Sequence, residues 1–361
     1  MKYKDFVDYS KLDPVKAAAI EKFSGTISNP KRLGIKIAEG TIGEPAIAFE
    51  LPEQDFFLAF NVEGLGTKNL IADAMCNDKR GKGAKYYEGV GIDNVAMSTN
   101  DLAAIGADAI VYGDIISSGN SAWFDGNDKI KFLFEGFRKA ADEIGMAIPC
   151  GETPTLQGIV NPETLDIAGA SVGIIQPKTR LVFGKDISEG DLIIGLESSG
   201  LHSNGISLAR KVAESLPDGY FFEIPETGNF LGEEILKPTR LYTRPLIEML
   251  EKTELHYLAP ITGHGWKKIM RAKKPFSYEI HSLPEPAGIF RFLQEKAKIS
   301  DEEAYSTWNM GIGYAIIAPE KSSEAIKKIA QKYKINSFEL GSVCRGEKKV
   351  VIRQKKIVFQ P

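Results

Sequence analysis

The sequence predicts an α+β protein of two domains. Three observations support that class. The 361 residues are 43% apolar and 26% charged, which is enough chain and enough apolar surface for two cores. Strand-type runs and amphipathic helix patterns are mixed in both halves. Between the halves, Gln176-Pro177 breaks the pattern, so the boundary is expected between about 176 and 185, giving domains 1–178 and 179–361.

Taken in order, a charged opening leads into a helix over residues 13–23 and then a glycine-punctuated run, G-I-K-I-A-E-G-T-I-G-E-P. Residues 56–62, F-F-L-A-F-N-V, are rich in aromatics and have no helical period, which predicts a strand. A glycine turn at 63–68 follows, and then a short helix over 69–76. Residues 86–106 form the helix region around which the rest is organised, and 109–116 form the next strand. The helix 130–144 turns Phe134, Phe137, Ala141 and Ile144 inward and stops at Gly145. Strands 147–150 and 166–175 complete the first half. In the second half, strands are expected at 191–196, 310–318, 350–352 and 357–359. Helices are expected at 205–216, 240–252 (despite Pro245) and 322–333. Residues 217–236 and 273–287 are rich in Pro and Gly and read as loop.

Composition excludes several function classes. A net charge of -3 and a pI near 6.0 give no electrostatic case for a nucleic-acid partner. No run approaches 18 apolar residues, so no membrane span is expected, and the N-terminus has no apolar signal region. Cys76, Cys150 and Cys344 lack C-x-x-C pairing, which argues against a zinc site or disulfide framework and for a reducing, cytoplasmic compartment.

The chemistry gathers on the stretch G-V-G-I-D-N-V-A-M-S-T-N-D at 89–101. Read as a helix opening at Gly91/Ile92, it puts Asp93, Met97, Asn100 and Asp101 on one side. Buried carboxylates there need donors, a basic partner or a metal. The plainer alternative makes Asn100 and Asp101 caps of a second helix starting at Leu102. Glu63-Gly64-Leu65-Gly66-Thr67-Lys68, between strand and helix, has the logic of a phosphate-binding turn: glycines admit backbone N–H groups to an anion, Thr67 adds a hydroxyl and Lys68 a charge. Its spacing is not that of a P-loop. Glu63 suits magnesium, which takes carboxylate oxygens along with substrate phosphates. With Asp93, Asp101 and Asp114 it makes four acidic residues in or beside apolar elements of one half. Gly151-Glu152-Thr153 sits in a turn where Glu152 could contact a ribose or a second metal, although such a residue is more often simply exposed. Ser198-Ser199-Gly-Leu-His202-Ser-Asn204-Gly lies between strand and helix. Asn204 suits an N-cap beside an anion site, and His202 a general acid/base, although a lone His is more often structural. Gly263 and His264 in T-G-H-G-W, and Asn309 in N-M-G-I-G, lie in further glycine-rich turns.

In this order the motifs resemble the phosphoribosylformylglycinamidine cyclo-ligase (aminoimidazole ribonucleotide synthetase) family, nearly end to end. The likeness runs from Y-K-D-F-V-D at 3–8 through Glu63–Lys68, 91–101, 151–153 and S-S-G-L-H-S-N-G to P-T-R-L-Y at 238–242, T-G-H-G-W and N-M-G-I-G. It implies a homodimer whose N-terminal sheets form a shared barrel, a C-terminal α/β domain that completes the substrate site, and ATP bound near the dimer interface. The implied reaction is phosphorylation of the formyl amide oxygen of formylglycinamidine ribonucleotide, after which a ring nitrogen displaces phosphate. By carry-over, Asp101 and His202 are catalytic, and Glu63, Asp93 and Asp114 hold Mg2+. Gly64, Gly66, Thr67, Lys68, Asn100, Gly151, Glu152 and Thr153 bind ATP, and Ser199, Asn204, Gly263, His264 and Asn309 bind the small-molecule nucleotide substrate. The chain departs from the family pattern at Glu63 (usually Asp), Cys150, residues 154–158, His264 (usually Gly) and the shortened loop 38–43. Two other readings are a relative that phosphorylates a different acceptor, as the thiamine monophosphate kinase and selenophosphate synthetase branches do, and a non-catalytic ligand-binding dimer.

Overall fold

Two sheets divide the chain between residues 175 and 192. The computed structural model describes residues 7–126 and 128–361, so the first four residues of Y-K-D-F-V-D lie outside the described residues. After helix α1 (Tyr9–Ser24) come β1 (Lys36–Ile37), β2 (Ile47–Glu50), β3 (Phe57–Gly64), β4 (Asp108–Ser118), β5 (Ala147–Glu152) and β6 (Leu165–Ile175). They form one sheet in the order β1-β2-β3-β6-β4-β5, antiparallel except for the β4–β5 pair. Helices α2 (Lys68–Cys76), α3 (Tyr86–Ala103) and α4 (Lys129–Ile144) belong to this half. Helix α3 lies against β3 and β6, and α4 packs on α3.

The second half contributes β7 (Leu192–Glu197), α5 (Ile206–Glu214), α6 (Leu231–Ile235), α7 (Thr243–Lys252), β8 (Tyr257–Pro260), β9 (Phe276–Ile280), α8 (Gly288–Ala297), α9 (Asp301–Thr307), β10 (Ile312–Ala318), α10 (Ser323–Lys332), β11 (Ser337–Arg345), β12 (Lys349–Ile352) and β13 (Ile357–Phe359). The sheet order is β13-β12-β9-β11-β7-β10-β8. β10 is buried along its whole length, as befits a continuous apolar run, I-G-Y-A-I-I-A, covered on both faces. Pro245 is tolerated in α7 because it sits in the first turn, where its missing N–H would have had no helical partner.

Helix α3 opens at Tyr86, five residues before Gly91. Gly89 and Gly91 lie inside it, and Gly91 is there for packing: a Cβ on Gly91 would come within 2.3 Å of the Leu133 carbonyl, and one on Gly136 within 2.0 Å of the Glu88 carbonyl. The bare backbones let α3 and α4 cross closely. The helix runs unbroken to Ala103, so Asn100 and Asp101 do not cap a second helix.

Both predicted loops hold structure. Residues 217–236 include α6, and 273–287 include β9, a central strand of the second sheet. Pro275, Pro284 and Pro286 flank β9 and do not interrupt it, which is where proline is compatible with a sheet interior. The outer face of the first sheet is apolar and open. Leu58, Phe60 and Val62 on β3 stand opposite Ile174, Val172 and Ala170 on β6. Ile110 and Ile115 on β4 continue the patch, with Val62 61% and Ile115 46% exposed.

Candidate active site

Helix α3 presents different groups to its two neighbours. Toward the first sheet, Asn94 donates to the Tyr112 hydroxyl at 2.6 Å and Ser98 meets Ser171 at 2.5 Å. Toward the second half, Asp93 and Asn100 bind the backbone of P-T-R-L-Y. Asp93 Oδ1 accepts from Thr239 N at 2.7 Å and Thr239 Oγ1 at 2.5 Å. Asn100 donates to the Arg240 carbonyl at 2.9 Å and accepts from Tyr242 N at 2.8 Å. Lys68, on α2, has no exposed surface. Its Nζ lies 2.8 Å from Asp93 Oδ2 and donates to the Lys237 carbonyl at 2.8 Å. Burial pulls the Lys68 pKa down against the opposing pull of Asp93.

These contacts change the roles of three residues. Asp93 is neutralised by an ammonium, and its Oδ1 is filled by hydroxyl and amide donors, so it presents no face to a metal. Lys68 and Asn100 are committed to the protein interior and present none to ATP. The expected four-carboxylate cluster is not assembled: among the described residues, no group of three or more His, Cys, Asp or Glu side chains could hold an ion. Asp114 opens instead into a separate cleft of about 380 Å³ with Phe134, Phe137 and Ile148, and its burial raises its pKa.

Glu63 and Asp101 do come together. Glu63 ends the inward row of β3, Asp101 stands in the last turn of α3, and their carboxyl groups share a hydrogen bond. Asp101 is 9% exposed; burial and the adjacent Glu63 charge push its pKa up to about 7. Burial also raises Glu63, opposed by Lys268 and Arg271. Beside Glu63 the turn is open: space over Gly64 and Gly66 is empty, and Gly66 has φ +79°. Thr67 makes no side-chain cap to α2; Leu70 N turns back to the Thr67 carbonyl at 3.3 Å, and a helix start without a side-chain cap favours an anion.

Two loops of the second half approach the same region. Gly263, in one of them, is pressed between Tyr9 of α1 and Asn204 of the other, since a Cβ there would lie 2.9 Å from the Tyr9 hydroxyl and 3.5 Å from Asn204 Oδ1. Asn204 Nδ2 is a buried donor without a partner, as a ligand-directed amide would be. His264 has φ 68°; its ring stacks on Tyr9 at 3.7 Å, and Nε2 is 3.5 Å from Asp13 Oδ2. It lines a cleft of about 520 Å³ together with Asp13, Lys267 and Glu302.

Other expected site residues serve the scaffold or stand apart. His202 is 4% exposed, and its Nε2 accepts from Ser199 N at 3.3 Å. Burial, with Lys68 and Arg240 nearby, pushes its pKa down to about 3, so the imidazole is held neutral and enclosed. Asn309 is fully engaged, accepting from Ser198 Oγ and Gly311 N and donating to the Gly200 and Leu201 carbonyls. Ser199 donates to the Pro238 carbonyl at 2.6 Å and lines a small pocket of about 140 Å³. Gly151, Glu152 and Thr153 are exposed at the end of β5. Glu152 pairs with Ile115 and therefore shares the outer sheet face, away from Glu63 and Asp101. Four residues at the junction were missed: Tyr9, Lys16, Lys268 and Arg271. The run K-K-I-M-R after T-G-H-G-W was the only signal for Lys268 and Arg271, and a basic run alone reads as a solvated face; Tyr9 and Lys16 lie in α1, far away in sequence.

Residues 43–175 match the family described as "AIR synthase related protein, N-terminal domain" and residues 188–354 its C-terminal counterpart. A phosphoribosylformylglycinamidine cyclo-ligase of Methanocaldococcus jannaschii is 34% identical over 354 residues, covering 94% of this chain and 91% of that protein. The enzyme of the same name from Caldicellulosiruptor bescii is 36% identical, covering 83% of this chain and 85% of that protein. Solved structures share the fold. AaThiL complexed with AMPPCP and TMP has a TM-score of 0.60 at 15% identity, covering 99% of this chain and 96% of that one. Thiamine-monophosphate kinase from Stenotrophomonas maltophilia has a TM-score of 0.59 at 16% identity, covering 86% and 90%.

Proposed function

The chain belongs to the phosphoribosylformylglycinamidine cyclo-ligase family of AIR synthase related proteins, and from that membership we propose that it closes the imidazole ring of aminoimidazole ribonucleotide using ATP. It is an ATP-dependent ligase forming a C–N bond. The observation that supports a site for this reaction is the Glu63–Asp101 carboxyl pair beside the open Gly64–Gly66–Thr67 turn. That turn offers backbone donors to nucleotide phosphates, and the carboxyl pair supplies the acidic end that a metal–nucleotide complex requires.

Magnesium fits Glu63 and Asp101 by donor chemistry. Two carboxylates without a third match an ion that draws its remaining ligands from phosphates and water. When bound there, the ion neutralises charge developing on the transferred phosphoryl group. Asp93 and Asp114 do not join this set, for the reasons of pairing and placement given above. Asn204, Gly263 and His264 face the same junction from the second half and are assigned to the substrate. His202 is assigned to positioning: its ring accepts from Ser199 N and so fixes the S-S-G-L-H-S-N-G loop.

Homodimerisation belongs to the same reading. The open apolar rows of β3, β4 and β6 make a patch of the kind that marks an association surface, and Glu152 on that face would then meet the partner. The free thiols Cys76, Cys150 and Cys344 suit the cytoplasm.

The test is ADP formation dependent on formylglycinamidine ribonucleotide and magnesium, comparing wild type with Asp101→Asn. We expect wild-type turnover and a loss of about 10²-fold or more in the variant. Tight binding of magnesium–ATP without turnover would point to a different phosphoryl acceptor. Absence of both would overturn the enzyme reading.

A further inference from the structure

Two cations at the domain junction make no direct side-chain contact with a carboxylate among the described residues. Lys268 and Arg271 lie three residues apart on the 3-10 turn Gly265–Arg271, a spacing that stacks side chains on the same side. Both are half-buried, and their charges are felt by Glu63 and Asp101. Among the described residues neither makes an ion pair or a side-chain hydrogen bond, and Arg271 Nη1 is a buried donor with no acceptor. The neighbouring carboxyls are engaged elsewhere: Glu44 accepts from the Tyr257 hydroxyl at 3.0 Å, and Glu63 and Asp101 hydrogen-bond each other. Buried cations are ordinarily paired, and a buried guanidinium donor is ordinarily satisfied. A pair of them without a partner, facing the reaction site, has the donor set of an anion site. Guanidinium geometry favours an oxyanion held by parallel N–H bonds, and a lysine adds a point charge.

The geometry points to Lys268 and Arg271 as a phosphate-dianion site at the domain junction, in the neighbourhood of the Glu63–Asp101 pair. The assignment deepens the cyclo-ligase reading and rests on it for the identity of the ligand. Phosphate chemistry reaches this junction from two sources, the 5′-phosphate of the nucleotide substrate and the phosphoryl group released from ATP.

Calorimetric titration of the full-length protein with inorganic phosphate tests the site without turnover. We expect binding by wild type, at least tenfold weaker binding by Arg271→Gln and by Lys268→Gln, and partial recovery in Arg271→Lys. An unchanged melting temperature and an unchanged far-ultraviolet circular dichroism spectrum in all three variants exclude misfolding. Unchanged phosphate affinity in both Gln variants, or no binding by wild type, overturns the proposal. Steady-state kinetics separate the sources. A raised KM for the nucleotide substrate, with competition by ribose 5-phosphate, identifies the substrate's own phosphate; a lowered kcat with unchanged KM identifies the transferred group. If phosphate binds as expected but formylglycinamidine ribonucleotide is not turned over, the site stands and the cyclo-ligase reading falls.

Discussion

The Asp93–Lys68 pair has no exposed side-chain surface on either partner, so each charge depends on the other. Removing one partner of such a pair typically costs about 3–5 kcal/mol, because the survivor is left buried and uncompensated. Asp93→Asn should therefore lower unfolding free energy by about that amount in a denaturant titration. A loss below about 1 kcal/mol, the range of an exposed pair, would refute the structural role. His202 makes a second prediction. With its pKa near 3 in the fold against 6.5 for the free side chain, it stays neutral while the unfolded chain takes up a proton. Its contribution to stability is complete above pH 6.5 and is lost as pH falls toward 3, at about 1.4 kcal/mol per pH unit for one proton. His202→Asn, which tolerates the left-handed backbone at this position, should flatten the acid limb of the stability curve by one proton. An unchanged slope would mean that another group sets it. Asp93 and Asn100 were legible as inward-facing polar residues, because carboxylates and amides on an apolar helix face are visible in one dimension. Their partners were not: Lys68 and Thr239 lie 25 and 146 positions from Asp93, and Tyr242 lies 142 from Asn100, and pairing is a property of the fold.

Among the elements, α1 is held in the least usual way. None of its residues is buried, and it meets the body where Tyr9 stacks on His264 and Asp13 faces the same imidazole. Leu12, Val15, Ile20 and Phe23 remain exposed along it. His264→Gly removes the stack and the Asp13 contact together, so limited proteolysis should cut α1 several-fold faster in that variant while the melting temperature of the remainder barely moves. Equal cleavage rates would show that α1 is secured elsewhere. Helices with strong amphipathic periods, such as α4, were legible from sequence because a 3.6-residue pattern decides them. α9 was passed over although Ser300 caps it by accepting from Glu303 N, a signal written as S-D-E-E. β9 was hidden by its flanking prolines. β11 was hidden by Gly341, where its register shifts.

For the whole molecule, the open sheet face predicts association. Val62, the most exposed apolar residue of β3, stands opposite Ala170 in the middle of the patch. Val62→Asp should move the protein from dimer to monomer in sedimentation, since a desolvated charge in an apolar interface is costly. A wild-type monomer, or a dimer unaffected by the substitution, would place the interface elsewhere. The break at Gln176-Pro177 lies between the last strand of one sheet and the first of the other, whereas the way the sheets join was not legible, because it runs through main-chain groups. Asn100 binds the Arg240 carbonyl and the Tyr242 amide, Tyr314 donates to the Asn100 carbonyl at 2.8 Å, and Asp93 takes the Thr239 amide. A seam of this kind does not need the covalent link between residues 175 and 192. Two fragments expressed separately and meeting at α3 should therefore recognise each other and reassemble, making this chain a candidate split protein whose complementation reports on contact between whatever is fused to its two pieces.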